Sequence, residues 1–176
     1  MKVAMVFYSF SGNTKRVCLF LKEKLAAKNI DVDLIDLRPK METRSFFKQS
    51  KQALFKEKVE LLRAQDDLSR YDYIAFASPV WAFTFAPALR SFLDKVKGVE
   101  GKRAICFLTY GSGTGSGKAL RELETILEEK KAEIIFSVNL SGFKVKKNDY
   151  LEKRFKTLFN IIGLQKTEYR EQKTEE

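Results

Sequence analysis

The chain has 176 residues, 44% of them hydrophobic, and a net charge of +10. That length fits one domain with a sizeable core, and no apolar run reaches the ~18 residues that a membrane-spanning helix needs. There is no histidine, and the two cysteines, Cys18 and Cys106, form no close-spaced pair, which excludes zinc fingers, Ser-His-Asp triads and Cys-His nucleophile pairs and leaves no metal site and no catalytic side chain to expect.

Residues 2–8 form an apolar first strand with no secretory leader ahead of it, so a cytoplasmic protein is expected. Residues 13–28 read as an amphipathic helix with Val17, Leu21 and Leu25 on one face, ending near Asn29. Residues 30–37 alternate between apolar and acidic except at Leu34-Ile35, the pattern of a strand near a sheet edge, and Pro39 stops it. Residues 40–70 carry Phe47, Leu54, Phe55, Val59 and Leu62 at helical spacing, which predicts a basic amphipathic helix with loops at both ends. Residues 73–77 are a buried strand ending at Ser78-Pro79. Residues 86–97 are a helix with Leu89, Phe92 and Leu93 inward and Pro87 in its first turn, where a missing N–H costs nothing. Residues 103–109 are a strand, and a glycine-rich loop over 111–117 leads into a helix carrying Leu120, Leu123 and Leu127. Residues 133–138 are a fifth strand. The last helix carries Leu151, Phe155, Leu158, Phe159 and Ile162, and residues 165–176 are polar and expected to fray. Both cysteines sit in apolar periodic stretches and read as buried, reduced thiols.

Five strands alternating with helices imply an α/β fold of three layers, a parallel sheet with helices on both faces. The expected organisation is a single domain over residues 1–165, with a basic insert at about 38–70 and a polar tail over 166–176. The positive charge is concentrated. Residues 38–63 hold eight Lys or Arg against three Glu, and residues 143–156 hold six against Asp149 and Glu152. No nucleic-acid motif accompanies either run, so both read as solvated faces rather than a polyanion site.

Ligands of such sheets bind beyond the carboxyl ends of the strands, and three unusual loops leave there. The first is Ser9-Phe10-Ser11-Gly12-Asn13-Thr14. One small polar residue is enough to cap a helix, and five in six positions exceed that need. Hydroxyls and backbone N–H groups at a helix N-terminus make an anion site whose most natural occupant is a phosphate. The second, Ser78-Pro79-Val80-Trp81-Ala82-Phe83 with Thr84-Phe85, carries the only tryptophan; its aromatics either stack on a flat ligand or plug the core under the next helix. The third follows Thr109 as Tyr110-Gly111-Ser112-Gly113 and continues to Gly117-Lys118. It is not a P-loop, which would need Gly at Ser112 and a hydroxyl at Ala119. It reads either as backbone lying against a ligand edge or as a mobile linker.

Ser9-x-Ser11-Gly12-Asn13-Thr14 after the first strand resembles the phosphate loop of the flavodoxin-like family. Residues 71–81, followed by Pro87 and Phe92-Leu93-Asp94, resemble that family's second flavin loop and the helix after it. Thr109-Tyr110-Gly111-Ser112-Gly113 sits where the third flavin loop sits, and the match runs from residue 1 to about 165. The resemblance implies a doubly wound five-stranded parallel sheet of order 2-1-3-4-5 and FMN held without a covalent bond. It implies that Ser9, Ser11, Asn13 and Thr14, with the backbone of Gly12, hold the FMN phosphate. Pro79, Val80, Trp81, Ala82 and Phe83 would then pass one side of the flavin ring, and Tyr110, Gly111 and Gly113 the other.

These loops contain no Asp or Glu, unlike the acidic surroundings of electron-carrier flavodoxins. A neutral to positive field favours the reduced anion of a flavin, which predicts a less negative potential than in such carriers. The chain therefore reads as an FMN-binding redox protein, either an electron carrier or a small NAD(P)H- or quinone-linked reductase. Its partners would be a redox protein, NAD(P)H or a quinone, with no nucleic acid expected and a homo-oligomer in keeping with family reductases. The alternative is a non-catalytic flavodoxin-like binding module that contacts an acidic partner or nucleic acid through residues 38–63. Three intact loops favour the redox reading.

Overall fold

The computed structural model describes residues 1–40, 58–62 and 65–174, the side chains of 164–174 apart. Among these residues lie six strands: β1 (Lys2–Phe7), β2 (Asp31–Asp36), β3 (Tyr73–Trp81), β4 (Thr84–Phe85), β5 (Arg103–Tyr110) and β6 (Glu133–Ser141). Four helices join them: α1 (Asn13–Ala26), α2 (Pro87–Leu93), α3 (Ser116–Glu129) and α4 (Asn148–Thr174). In β1, Val3, Met5 and Phe7 pack toward one face while Ala4 and Val6 pack toward the other, and all five are buried. Burial on both faces is what an internal strand of a covered parallel sheet requires. The long strands run in the order β2-β1-β3-β5-β6, all parallel, and β4 folds back antiparallel onto β3. With the two-residue β4 set aside, this is the order 2-1-3-4-5.

The two faces carry separate cores. Val17, Cys18, Leu21 and Leu25 of α1 and Leu151, Phe155, Leu158 and Ile162 of α4 cover Met5, Phe7, Ile105 and Phe107. On the other face, Leu89, Phe92 and Leu93 of α2 and Ala119, Leu123 and Leu127 of α3 cover Val6, Phe76, Cys106 and Leu108. Both thiols are fully buried, and burial pushes their pKa well up.

Several elements depart from the sequence expectation. Residues 78–81 continue β3 rather than forming a loop. A two-residue turn, Ala82-Phe83, then joins Trp81 to Thr84 with both turn residues at positive φ, 45° and 67°. Turns of that kind match the twist of paired strands and normally use Asn or Gly, which is why Ala-Phe gave no hairpin signal. The helix expected over 86–97 spans only Pro87–Leu93, and its chain leaves to pair Asp67 with Lys97. β6 extends to Ser141, past the expected residue 138. The polar end of the chain continues α4 to Thr174 where fraying was expected.

The helix expected within 40–70 falls mostly outside the described residues, Phe47, Leu54 and Phe55 included. Where its end is described, the backbone is not helical. Residues 58–62 return antiparallel to 38–40, with a bridge between Pro39 and Leu61. The Lys40 N–H donates to the Glu60 carbonyl at 2.8 Å, the Leu62 N–H to the Arg38 carbonyl at 2.7 Å, and Lys40 and Glu60 are also ion-paired. The Val59 N–H donates to Ser91 Oγ of α2 at 2.8 Å. Val59 and Leu62 thus follow an extended return strand, whose apolar spacing happened to coincide with a helical period.

Candidate functional site

The carboxyl ends of β1, β3, β5 and β6 converge on a cavity of about 560 Å³, within the usual range of roughly 300–1,000 Å³ for small-molecule sites. From the first loop, Phe10, Ser11 and Asn13 line it; from the second, Pro79, Val80 and Trp81; from the third, Thr109, Tyr110 and Gly111. A shallower hollow of about 240 Å³ adjoins it, bounded by Ala82, Phe83, Ser112 and Gly113 and sharing Val80, Trp81, Tyr110 and Gly111. The three loops singled out in the sequence therefore meet at one place.

At the floor of the first loop, Gly12 is the N-cap of α1 in the left-handed conformation (φ 83°) and supplies no side-chain cap. Ser9 Oγ accepts from the Lys15 N–H at 3.1 Å, and the Arg16 N–H donates to the Gly12 carbonyl at 2.9 Å. Among the described residues, the N–H groups of residues 11–14 have no acceptor. The first turn of α1 also holds no acid. Four donors at the positive end of a helix, beside a cavity, are chemically suited to hold an anion.

Three expected ligand residues are placed differently from the rest. Thr14 is buried, and its Oγ1 lies 2.9 Å from Thr109 Oγ1, tying α1 to β5 under the cavity. Ser78 is wholly buried, its Oγ accepting from the Ala86 N–H at 2.9 Å and donating to the Pro79 carbonyl at 3.0 Å. It fastens the hairpin rather than facing the cavity. Trp81 is 6% exposed and meets Tyr8 and Phe10 edge-on, with ring centres 5.5 and 5.9 Å apart. One edge of the indole borders the cavity while the rest belongs to the core.

The hairpin itself is braced from behind. Arg90 of α2 donates to Thr84 Oγ1 at 2.8 Å and pairs with Glu122 of α3 at 3.1 Å, and Thr84 donates to Glu122 Oε2 at 2.5 Å. The Arg90 and Glu122 side chains are only 11% and 19% exposed. The Arg90 guanidinium also lies 4.4 Å from the centre of the Phe85 ring.

A fourth loop, not singled out by the sequence, completes the rim. Gly142, Phe143 and Lys146 line the cavity. Gly142 approaches so closely that an added Cβ would stand 2.8 Å from the Asn13 amide and 3.1 Å from the Tyr110 carbonyl. Arg16 holds this loop, donating to the carbonyls of Val145 (3.3 Å) and Lys146 (3.2 Å) and to Asn148 Oδ1 (3.0 Å). The signal was present as Gly142-Phe143, but the strand before it runs three residues past the expected end, to Ser141, and that extension concealed that the loop reaches the cavity. Among the described residues, Lys146 is the one charged residue lining either hollow, and no carboxylate does.

Residues 1–143 match the family model described as NADPH-dependent FMN reductase. No curated protein sequence matches the chain. Among solved structures, the fold is similar to a flavoprotein from Lactobacillus acidophilus in complex with FMN, at 22% identity and TM-score 0.61, over 84% of this chain and 98% of that one. It is also similar to oxidised flavodoxin 1 from Bacillus cereus, at 20% identity and TM-score 0.58, over 90% and 97%. A flavodoxin from the domain Archaea aligns at 19% identity and TM-score 0.57, over 86% and 93%.

Proposed function

The chain belongs to the NADPH-dependent FMN reductase family, and from that premise we propose that the cavity at the strand ends is its FMN site and that NAD(P)H is its reductant. FMN is the redox group of this flavoprotein, and when bound it supplies the hydride and electron chemistry. The observation that carries the assignment is the run of N–H groups over residues 11–14, unpaired among the described residues, at the uncapped start of α1. A phosphate fits that donor set, as each charge-assisted hydrogen bond contributes roughly 1.5–3 kcal/mol. Ser11 and Asn13 add side-chain donors. Trp81 and Tyr110 border the space a flat ring would occupy, and Thr109 and Thr14 fix the floor beneath it.

The chain's own contribution is to bind, orient and exclude water. Among the described residues, the only titratable side chains lining the cavity are Tyr110 and Lys146, so the lining chiefly positions the reactants and sets the local field. The test is a fluorescence titration with FMN. The Ser11→Ala, Asn13→Ala double variant should bind FMN at least ~10-fold more weakly while keeping its fold. Unchanged affinity would move the phosphate elsewhere. The reductant is tested by steady-state oxidation of NADPH and NADH by the FMN-loaded protein, with and without a quinone. Loaded protein that oxidises neither would refute that half of the proposal.

A further inference from the structure

The loop after β6 carries more charge than its place in the cavity wall requires. Its sequence is Phe143-Lys144-Val145-Lys146-Lys147. Val145 is fully buried and anchors the loop, and Arg16 clamps the same stretch to α1. Phe143 is 81% exposed, the most exposed large apolar side chain described. Lys144, Lys146 and Lys147 around it are exposed, as are Lys15 on α1 and Lys118 on α3. None of these five lysines forms an ion pair among the described residues. Lys2, Lys24, Lys40, Lys58 and Lys131, by contrast, sit on carboxylates. The one nearby acid in the loop's continuation is Asp149, in the first turn of α4.

An exposed aromatic held on a clamped loop that also carries the uncompensated Lys144, Lys146 and Lys147 has the make-up of an interface hot spot with a charged rim. We infer that this loop is the docking surface for an acidic carrier protein, whose redox centre it brings to the mouth of the cavity. The occupant follows from charge complementarity, because a basic partner would meet three unpaired cations on the loop. The surface is local, since Phe143 and Lys146 line the cavity itself. The inference rests on the flavin reading only for what lies beneath the partner; the docking is a separate property of the rim.

Calorimetric titration of the FMN-loaded protein with an oxidised, acidic [2Fe–2S] ferredoxin tests it, with a basic cytochrome c as the control. Rim charges act mainly through association rate and salt dependence. The acidic carrier should bind at low salt and weaken roughly 10-fold or more between 20 and 200 mM salt, while the cytochrome should not bind. Lys144→Glu, Lys147→Glu should weaken ferredoxin binding roughly 10-fold or more and leave FMN affinity and quinone reduction unchanged, since neither residue lines the cavity. Equal binding of both carriers, no binding of the acidic one, or an unaltered variant would overturn the inference. So would a charge-dependent partner found only in anionic vesicles or nucleic acid. A protein that binds the acidic carrier but takes up no FMN would instead refute the flavin assignment.

Discussion

At the residue scale, the second loop depends on a glycine that the sequence offered for another purpose. Gly115 sits at φ 76°, and a Cβ there would stand 2.2 Å from the Phe83 ring. Gly115→Ala therefore combines a left-handed alanine with a direct clash, and it should destabilise the fold by roughly 2–3 kcal/mol in chemical denaturation. Phe83 would have to leave its place beside the smaller hollow. From the sequence, the glycines of 111–117 look like freedom for a ligand to approach; at Gly115 the close neighbour is the protein's own hairpin. Asp33 offers a pH handle. A hydrogen bond from the Tyr71 hydroxyl (2.7 Å), then the charges of Lys2 and Arg70, hold its carboxyl below the ordinary value of 3.8. A lowered folded pKa gives stability that is present above the ordinary carboxylate range and is lost as pH falls through the folded value. The stability gap between the wild type and Asp33→Asn should accordingly be at most about 1 kcal/mol at neutral pH, given the solvent screening. It should close as the pH drops below about 3.8 in acid denaturation curves.

At the element scale, the β3–β4 hairpin shows where pattern reading stops. An apolar run over 73–77 followed by a Ser-Pro pair suggested that the strand ends at residues 78–79. Local propensity could not reveal that Thr84 would find Glu122 and Arg90, contacts 38 residues and 6 residues away. Those partners hold an Ala-Phe turn that has no intrinsic preference for its conformation. Removing one member of a largely buried pair leaves the other uncompensated, so Arg90→Met should cost roughly 3 kcal/mol in equilibrium unfolding. Arg90→Met with Glu122→Leu should recover a good part of that. Recovery of stability without recovery of FMN affinity would show that the brace sets the hairpin's position as well as its stability. The first loop was far more legible, because a helix N-terminus is announced locally by Ser9 to Thr14. The loop after β6 was not, because its relation to the cavity depends on Arg16, 129 residues from its acceptor Val145.

For the whole molecule, a parallel sheet covered on both faces was readable because five apolar runs alternate with amphipathic ones, while its order 2-1-3-4-5 came from the resemblance to the flavodoxin-like family. A ligand site was readable because three chemically distinct loops all leave the same edge, and the resemblance supplied FMN as its occupant. With no carboxylate lining the cavity and Lys146 beside it, bound FMN should show a two-electron potential less negative than in an acidic flavodoxin, by spectroelectrochemical titration. FMN at ~100 times its Kd should add about 2.7 kcal/mol of stability, roughly 5–10 °C in Tm by calorimetry, and the Ser11→Ala, Asn13→Ala variant should lose at least about half of that rise at the same FMN concentration. The clasp between residues 38–40 and 60–62 bears on how this chain can change. Its two backbone bonds and the Pro39–Leu61 bridge bring the ends of a long excursion side by side at the margin of the sheet. The clasp thus fixes where the chain leaves the sheet and where it returns, and the entropic cost of closing such a span grows only with the logarithm of its length. A change in the number of residues between the two ends should therefore leave the strands and the cavity loops in register, so this margin is where the chain can vary in length at the least cost to its site.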